Sequence, residues 1–336
     1  MNLKTTYLGL DLKNPIVPSA SPLSQRLDHM KQLEDAGASA IVMFSLFEEQ
    51  IRAEAESLED MLSMGTDSFA ESLEFFPRAS EYSVGPDAYL NLISDASASL
   101  DIPIIGSLNG VTPTGWIDYA RNIQEAGAQA LELNVYHVAT DLNESSVQVE
   151  QRYVDILKAV KASVDIPVAI KLSPYFSSMA NMSKRLVEAG CDGLVLFNRF
   201  YQPDYDLESL QVTADLNLST SHEIRLPLLW LAVLKNRLNT SLAASTGVET
   251  HVEVLKYLMA GADVTMTASS LITKGPGHVR SLIDGLTEWM DEHEYVSVEQ
   301  LKGSMSQSAV ADPSTFERAN YIKILEKNKA EYTLTG

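Results

Sequence analysis

A lysine lies inside an apolar, strand-like run, Ala169-Ile170-Lys171-Leu172-Ser173-Pro174. An ammonium there is costly unless an anion or a strong acceptor meets it. Two neighbouring apolar runs end on amides: Glu132-Leu133-Asn134-Val135-Tyr136-His137 at Asn134, and Phe197-Asn198-Arg199 at Asn198. Other runs end at Ser19-Ala20-Ser21 and Ser107-Leu108-Asn109. Ser245-Thr246-Gly247 and Ala268-Ser269 each precede a helical pattern, and small residues at a helix start let backbone N–H groups reach phosphate oxygens. Lysine and amides at one end, with phosphate-type loops at the other, point to a long phosphorylated ligand. The alternatives are a salt bridge inside the protein for Lys171 and capped strand ends for the two asparagines.

Such residues must be held by regular elements, and one small unit organises them. Ala36-Gly37-Ala38, Ala126-Gly127-Ala128, Ala189-Gly190-Cys191 and Ala260-Gly261-Ala262 each close an amphipathic stretch and open an apolar run. Glycine suits the left-handed residue that ends a helix, so the four units read as helix-to-strand joints. Eight apolar runs have strand character: 15–20, 40–45, 103–109, 130–136, 167–173, 193–198, 241–245 and 263–268. Most are nearly continuous, as strands buried on both faces should be. Helical patterns cover 26–36, 88–100, 115–126, 147–163, 178–189, 225–239, 249–260 and 277–292. Alternation on this scale predicts an α/β TIM (β/α)8 barrel. A doubly wound open sheet is the second choice, but the chain lacks the G-x-G-x-x-G that such a dinucleotide fold would carry.

All 336 residues are expected to form one barrel domain, with active-face insertions at 48–87 after strand two and 200–224 after strand six. The first residues alternate around Gly9 and predict a hairpin that plugs the barrel bottom; the end of the chain reads as a helix and a loose tail. Lys and Arg total 25 against 45 for Asp and Glu, a formal net charge of −20, which disfavours a nucleic-acid partner. No apolar run approaches the roughly 20 residues of a membrane span, so no membrane partner is expected and the location is read as cytoplasmic. One cysteine excludes an intramolecular disulfide and any cysteine-based cluster; no metal site is expected. Without a C-x-x-C pair or a dinucleotide fingerprint, NAD or an iron–sulfur cluster would need a separate subunit.

NPIVPSAS, GSLNG, ELNVYH, AIKLSPYF and STGVETHVEVLKYLMAGADVTMTASSL, in this order, resemble the dihydroorotate dehydrogenase family, and most of all its soluble class. The resemblance runs from about Leu8 to Leu286 and implies an FMN-containing barrel, pyrimidine biosynthesis and a homodimer. It implies that Lys171 contacts the flavin N1/O2 region, that Asn134 is shared between flavin and substrate, and that Asn198 binds substrate. Ala20, Ser21 and Asn109 fall among the flavin contacts, and Ser245, Thr246, Gly247, Ala268 and Ser269 on the phosphate loops.

The chain departs from the family pattern at several positions. His137 occupies the base position of the family's ELN-x-S-C-P-N stretch, and Ala139 replaces a substrate asparagine. Phe44 replaces a lysine, Tyr82-Ser83-Val84-Gly85-Pro86 lacks another asparagine, and Ser219–His222 stands for a glycine pair. Imidazole, with an ordinary pKa of about 6.5, suits a general base, and His137 is the candidate. Arg199 follows Asn198 and is expected to offer a cation to an acidic or carbonyl-bearing substrate; the alternative is a surface pair with Asp204 or Asp206. The expected activity is FMN-dependent CH–CH dehydrogenation of dihydroorotate or a related dihydropyrimidine. Two alternatives stand beside it: a flavin-free barrel lyase or isomerase that uses Lys171 on a phosphorylated substrate, and an FMN-binding homologue that has lost catalysis.

Overall fold

The four joints fold alike. In each, the glycine has a positive φ, between +100° and +122°, and the next residue's N–H returns to a carbonyl five residues back: Ala38 to Leu33, Ala128 to Ile123, Cys191 to Leu186 and Ala262 to Tyr257. That is the Schellman ending, and it launches the chain directly into the following strand. The computed structural model describes residues 1–50, 85–112, 116–200, 202–213, 217–318, 320–323 and 326.

Eight parallel strands form the barrel: Ile16–Pro18, Ile41–Val42, Ile104–Gly110, Ala130–Val135, Val168–Leu172, Gly193–Leu196, Ser241–Ala244 and Val264–Thr267, called strands one to eight below. They pair in the order one, eight, seven, six, five, four, three, two. The seam between strands one and two is bridged by the Ser39 N–H, which donates to the Ile16 carbonyl at 3.1 Å. Helices including Leu27–Asp35, Pro86–Ser99, Trp116–Glu125, Ser146–Lys161, Met179–Glu188, Arg225–Leu234, His251–Ala260 and His278–Glu292 lie between and after the strands. This is the expected TIM barrel.

Two apolar cores follow from the two-residue period of the strands. One lies between strands and helices, and includes Ile104, Leu131, Leu133, Ile170 and Leu194. The other fills the barrel with Val17, Val42, Ile105, Ala130, Ala169, Val195, Ala243 and Val264. The hairpin Thr5–Tyr7 and Leu10–Leu12 closes its bottom as expected, adding Tyr7, Leu8 and Leu12 to the inner core. Its turn residues, Leu8 and Gly9, both have positive φ (53° and 74°), the conformation a two-residue hairpin turn requires.

Three features differ from the sequence expectation. Strand two is split, its second part Leu46–Phe47 pairing with strand three, because the Phe44 N–H turns aside to the Ser24 hydroxyl at 2.7 Å. The helix expected over 225–239 stops at Leu234. There Lys235 lies in extended backbone and Asn236 has φ 64°, and the Lys235 Nζ lies 3.7 Å from Asp263. Tertiary contact overrides helix periodicity at this point. The segment after strand six contains a small hairpin, Asp204–Asp206 with Gln211–Thr213, and a helical turn Ser221–Ile224. Most of the insertion at 48–87, including the 82–84 part of the Tyr82–Pro86 motif, lies outside the described residues, as does the chain from 327 onward.

Candidate active site

Strands three, four and five are in register, with Asn109 beside Asn134 and Asn134 beside Lys171. All three residues therefore lie at one height, at the carboxyl ends of their strands, the end where barrel enzymes hold their chemistry. Strand five stands opposite strand one in the ring. The Lys171 side chain spans that gap, its Nζ lying 3.2 Å from the Ser19 Oγ on the segment after strand one. Beneath it, the Glu132 Oε1 is 3.4 Å away. The lysine thus has an internal carboxylate, and it also has open space above it.

Two adjoining cavities meet at Lys171. One, of about 770 Å³, is walled by Ser21, Phe44, Ser45, Asn109, Asn134 and Tyr136. The other, of about 220 Å³, leads from Ser19 and Ala20 to Ser245, Thr246, Gly247, Ala268 and Ser269. Ala20, Ser21, Asn198 and Arg199 line both. Every candidate residue except His137 therefore borders this continuous space.

The two asparagines hold each other, the Asn198 Nδ2 donating to the Asn134 Oδ1 at 2.9 Å. Each keeps further donor and acceptor capacity for a ligand. Arg199 pairs with Glu223, 3.2 Å away, and not with Asp204 or Asp206. The loop folds back so that the turn Ser221–Ile224 brings Glu223 to Arg199, which sequence distance alone could not reveal. Phe44, in the place of a family lysine, is buried and meets Tyr89 edge-on, with ring centroids 4.9 Å apart. That part of the wall is apolar.

At the far end, Thr246 and Gly247 both have positive φ (83° and 74°). The Gly247 N–H donates to the Ser219 Oγ at 3.1 Å, and the Ser219 hydroxyl also bonds to the Ser269 Oγ at 2.9 Å. Ser219, from the segment standing for the family's glycine pair, thus joins the loops after strands seven and eight. The Ser219 and Ser269 hydroxyls and the start of the helix Ser269–Lys274 line this end of the space, and the donors they carry suit an anion.

His137 is placed apart from both cavities. Its Nε2 lies 2.7 Å from the Glu144 Oε2, and the other Glu144 oxygen accepts from Arg152 at 2.6 Å. The His137 bond, with His137 and Arg152 charge behind it, holds the Glu144 carboxyl below the usual carboxylate range. Cys191 lies near the opposite end of the barrel, where burial pushes its thiol up to about 12, so it packs and does not react at neutral pH.

A family model described as "Dihydroorotate dehydrogenase" matches residues 61–290, more than half of the chain. The chain belongs to the dihydroorotate dehydrogenase family. It is 24% identical over 321 residues to the Thermoplasma acidophilum "Dihydroorotate dehydrogenase B (NAD(+)), catalytic subunit", covering 90% of this chain and 98% of the relative. The Listeria innocua protein of the same description is 28% identical over 306 residues, 88% of this chain and 95% of that one. An Aeropyrum pernix "Putative dihydroorotate dehydrogenase A (fumarate)" is 25% identical over 222 residues, 63% and 70% of the two chains. These relatives support an oxidoreductase of the dihydroorotate dehydrogenase type. Among the described residues, no helix is long and apolar enough to cross a membrane.

Sequence reasoning missed three contributors. Glu132 passed as an ordinary strand residue, although its two-residue offset from Asn134 was a signal that both face inward. Ser219 was legible only as part of the segment standing for the family's glycine pair, with no sign that its hydroxyl would join two loops. The aromatic set Tyr136, Phe200 and Tyr175, with centroids 5.0 and 5.2 Å apart, forms only because the ends of strands four, five and six converge.

Proposed function

We propose that this chain is an FMN-dependent CH–CH oxidoreductase that oxidises dihydroorotate or a related dihydropyrimidine. The observation that carries the reading is the Lys171 ammonium on the floor of a space running from the Asn134–Asn198 pair to the donor loops at Gly247 and Ser269. The residues present fit an FMN: a lysine and Asn109 for a flat polar ring, and an N–H and hydroxyl cradle for a phosphate. Bound FMN supplies a hydride acceptor; the protein supplies position, charge and proton transfer.

In this reading, Lys171 stabilises the negative charge that arrives when the substrate is oxidised. Asn134 and Asn198 orient the amide-bearing edge of the substrate, and Arg199 attracts its acidic or carbonyl group. Arg199→Ala is expected to raise KM about tenfold with little change in kcat, the mark of lost uniform binding. An unchanged KM removes Arg199 from the substrate site. His137 remains the candidate base, with Glu144 orienting its ring as a carboxylate does in a base–orienter pair. The role requires the irregular stretch 136–145 to carry the imidazole toward the cavity. His137→Asn is expected to abolish reduction by substrate while leaving FMN bound; undiminished reduction excludes it.

An ammonium paired with a buried carboxylate is not the free amine that a Schiff-base lyase needs, which disfavours the flavin-free alternative. Domain unity over all 336 residues, the homodimer and the cytoplasmic location remain parts of this proposal and rest on the sequence and its family resemblance. The reading is tested by colour: the purified protein should carry a flavin spectrum that a dihydropyrimidine bleaches without oxygen.

A further inference from the structure

The ammonium on the cavity floor rests on a carboxylate. Glu132 lies two residues before Asn134, so both side chains face the barrel interior, and its side chain is 1% exposed. Its Oε1 meets Lys171, while its Oε2 is buried without a hydrogen-bond partner. The inner core below it is apolar, with Ile105, Ala169, Val195 and Met266, and the buried Ser107 stands beside it on strand three. Below, the Tyr7 hydroxyl on the plug is also buried and unpartnered, and its phenol is pushed well up, first by burial and then by the Glu132 charge. A buried ion pair with an unsatisfied oxygen is a poor stabilising device, because a well-packed apolar pair serves stability as well or better. Its presence directly beneath the open cavity calls for another account.

We propose that Glu132 is a positioning residue that acts through Lys171, holding the ammonium across the floor and partly neutralising it. The inference rests on the flavin reading above. A group bound over the floor then meets an ion pair, and negative charge arriving on it must share Lys171 with Glu132. Glu132 thereby keeps the reduction potential of the bound flavin below the value that a lone lysine would set. Glu132 itself does not line either cavity, and a buried carboxylate stripped of its ammonium neutralises by taking up a proton, so its effect must vanish when the lysine is absent.

The test uses the full chain loaded with FMN, as wild type, Glu132→Gln, Lys171→Gln and the double variant. Sulfite is the probe, since it adds to a flavin ring and leaves negative charge on it. Glu132→Gln is expected to tighten sulfite binding about tenfold, well below what a charge in direct contact would give at an effective dielectric of about 20, because Glu132 acts from beneath the lysine. The same factor for a two-electron couple is an upward shift of about 30 mV in the midpoint potential. In the Lys171→Gln background the second substitution should leave sulfite affinity unchanged. Without flavin, Lys171→Gln alone should unfold earlier than the double variant, because it strands Glu132. Unchanged sulfite affinity in folded, FMN-loaded Glu132→Gln overturns the proposal, as does an equal gain without the lysine. Should Glu132→Gln not fold, rescue of Lys171→Gln by the double variant supports the proposal, and absence of rescue overturns it. A wild-type chain that takes up no FMN overturns the flavin reading instead.

Discussion

Lys171→Gln is expected to slow flavin reduction by substrate about 10²–10³-fold, the range seen when one preorganised charge or donor is removed from a transition state. The same substitution is expected to destabilise the chain by about 3–5 kcal/mol, because a buried carboxylate loses its ionic partner. The two effects have separate causes and separate measurements. Anaerobic stopped-flow reads the first, with FMN bound to both proteins, and denaturant unfolding of the flavin-free forms reads the second. A full rate constant in the variant contradicts the role given to the lysine. Unchanged stability contradicts the reading of its bond to Glu132 as an ion pair.

Gly247→Ala is expected to weaken FMN binding about 10–100-fold, the equivalent of one or two charge-assisted hydrogen bonds lost. A Cβ at this position would lie 2.7 Å from the Thr220 carbonyl oxygen and 2.7 Å from the Ile224 Cγ2, and the backbone φ of +74° is itself unfavourable for alanine. Together these push the loop after strand seven away from the turn that carries Ser219. The phosphate end should suffer and the ring end should not. Riboflavin, which lacks the phosphate, should accordingly bind wild type and variant alike, and isothermal titration of both ligands checks this. An equal loss for riboflavin and FMN would mean that Gly247 shapes the whole cavity and not a phosphate cradle.

Much of the barrel is visible in the sequence for a local reason. Each Ala-Gly joint satisfies the end of its own helix, so the boundary between helix and strand needs no information from the rest of the chain. The site residues are visible for a related reason. Lys171, Asn134 and Asn198 are polar groups at the ends of apolar strands, and in a parallel barrel all such ends face one opening. What escapes the sequence depends on distant parts meeting. Glu132 becomes an ionic partner only because strands four and five lie in register. Arg199 finds Glu223 only after the loop doubles back, and helix 225–239 yields its last turn to a contact between Lys235 and Asp263. His137 stands at the position that the family resemblance gives to the base, yet its placement beside Glu144 arises from the side chains of the following loop and helix.

The central claim is that a flavin lies over Lys171 and accepts hydride from a dihydropyrimidine. An anaerobic visible spectrum of the purified chain, recorded before and after dihydroorotate and its ring-saturated relatives are added, tests it most directly. The account predicts a flavin spectrum whose visible band bleaches with at least one of these compounds. A protein that stays colourless after incubation with FMN, or a bound flavin that none of them reduces, contradicts it.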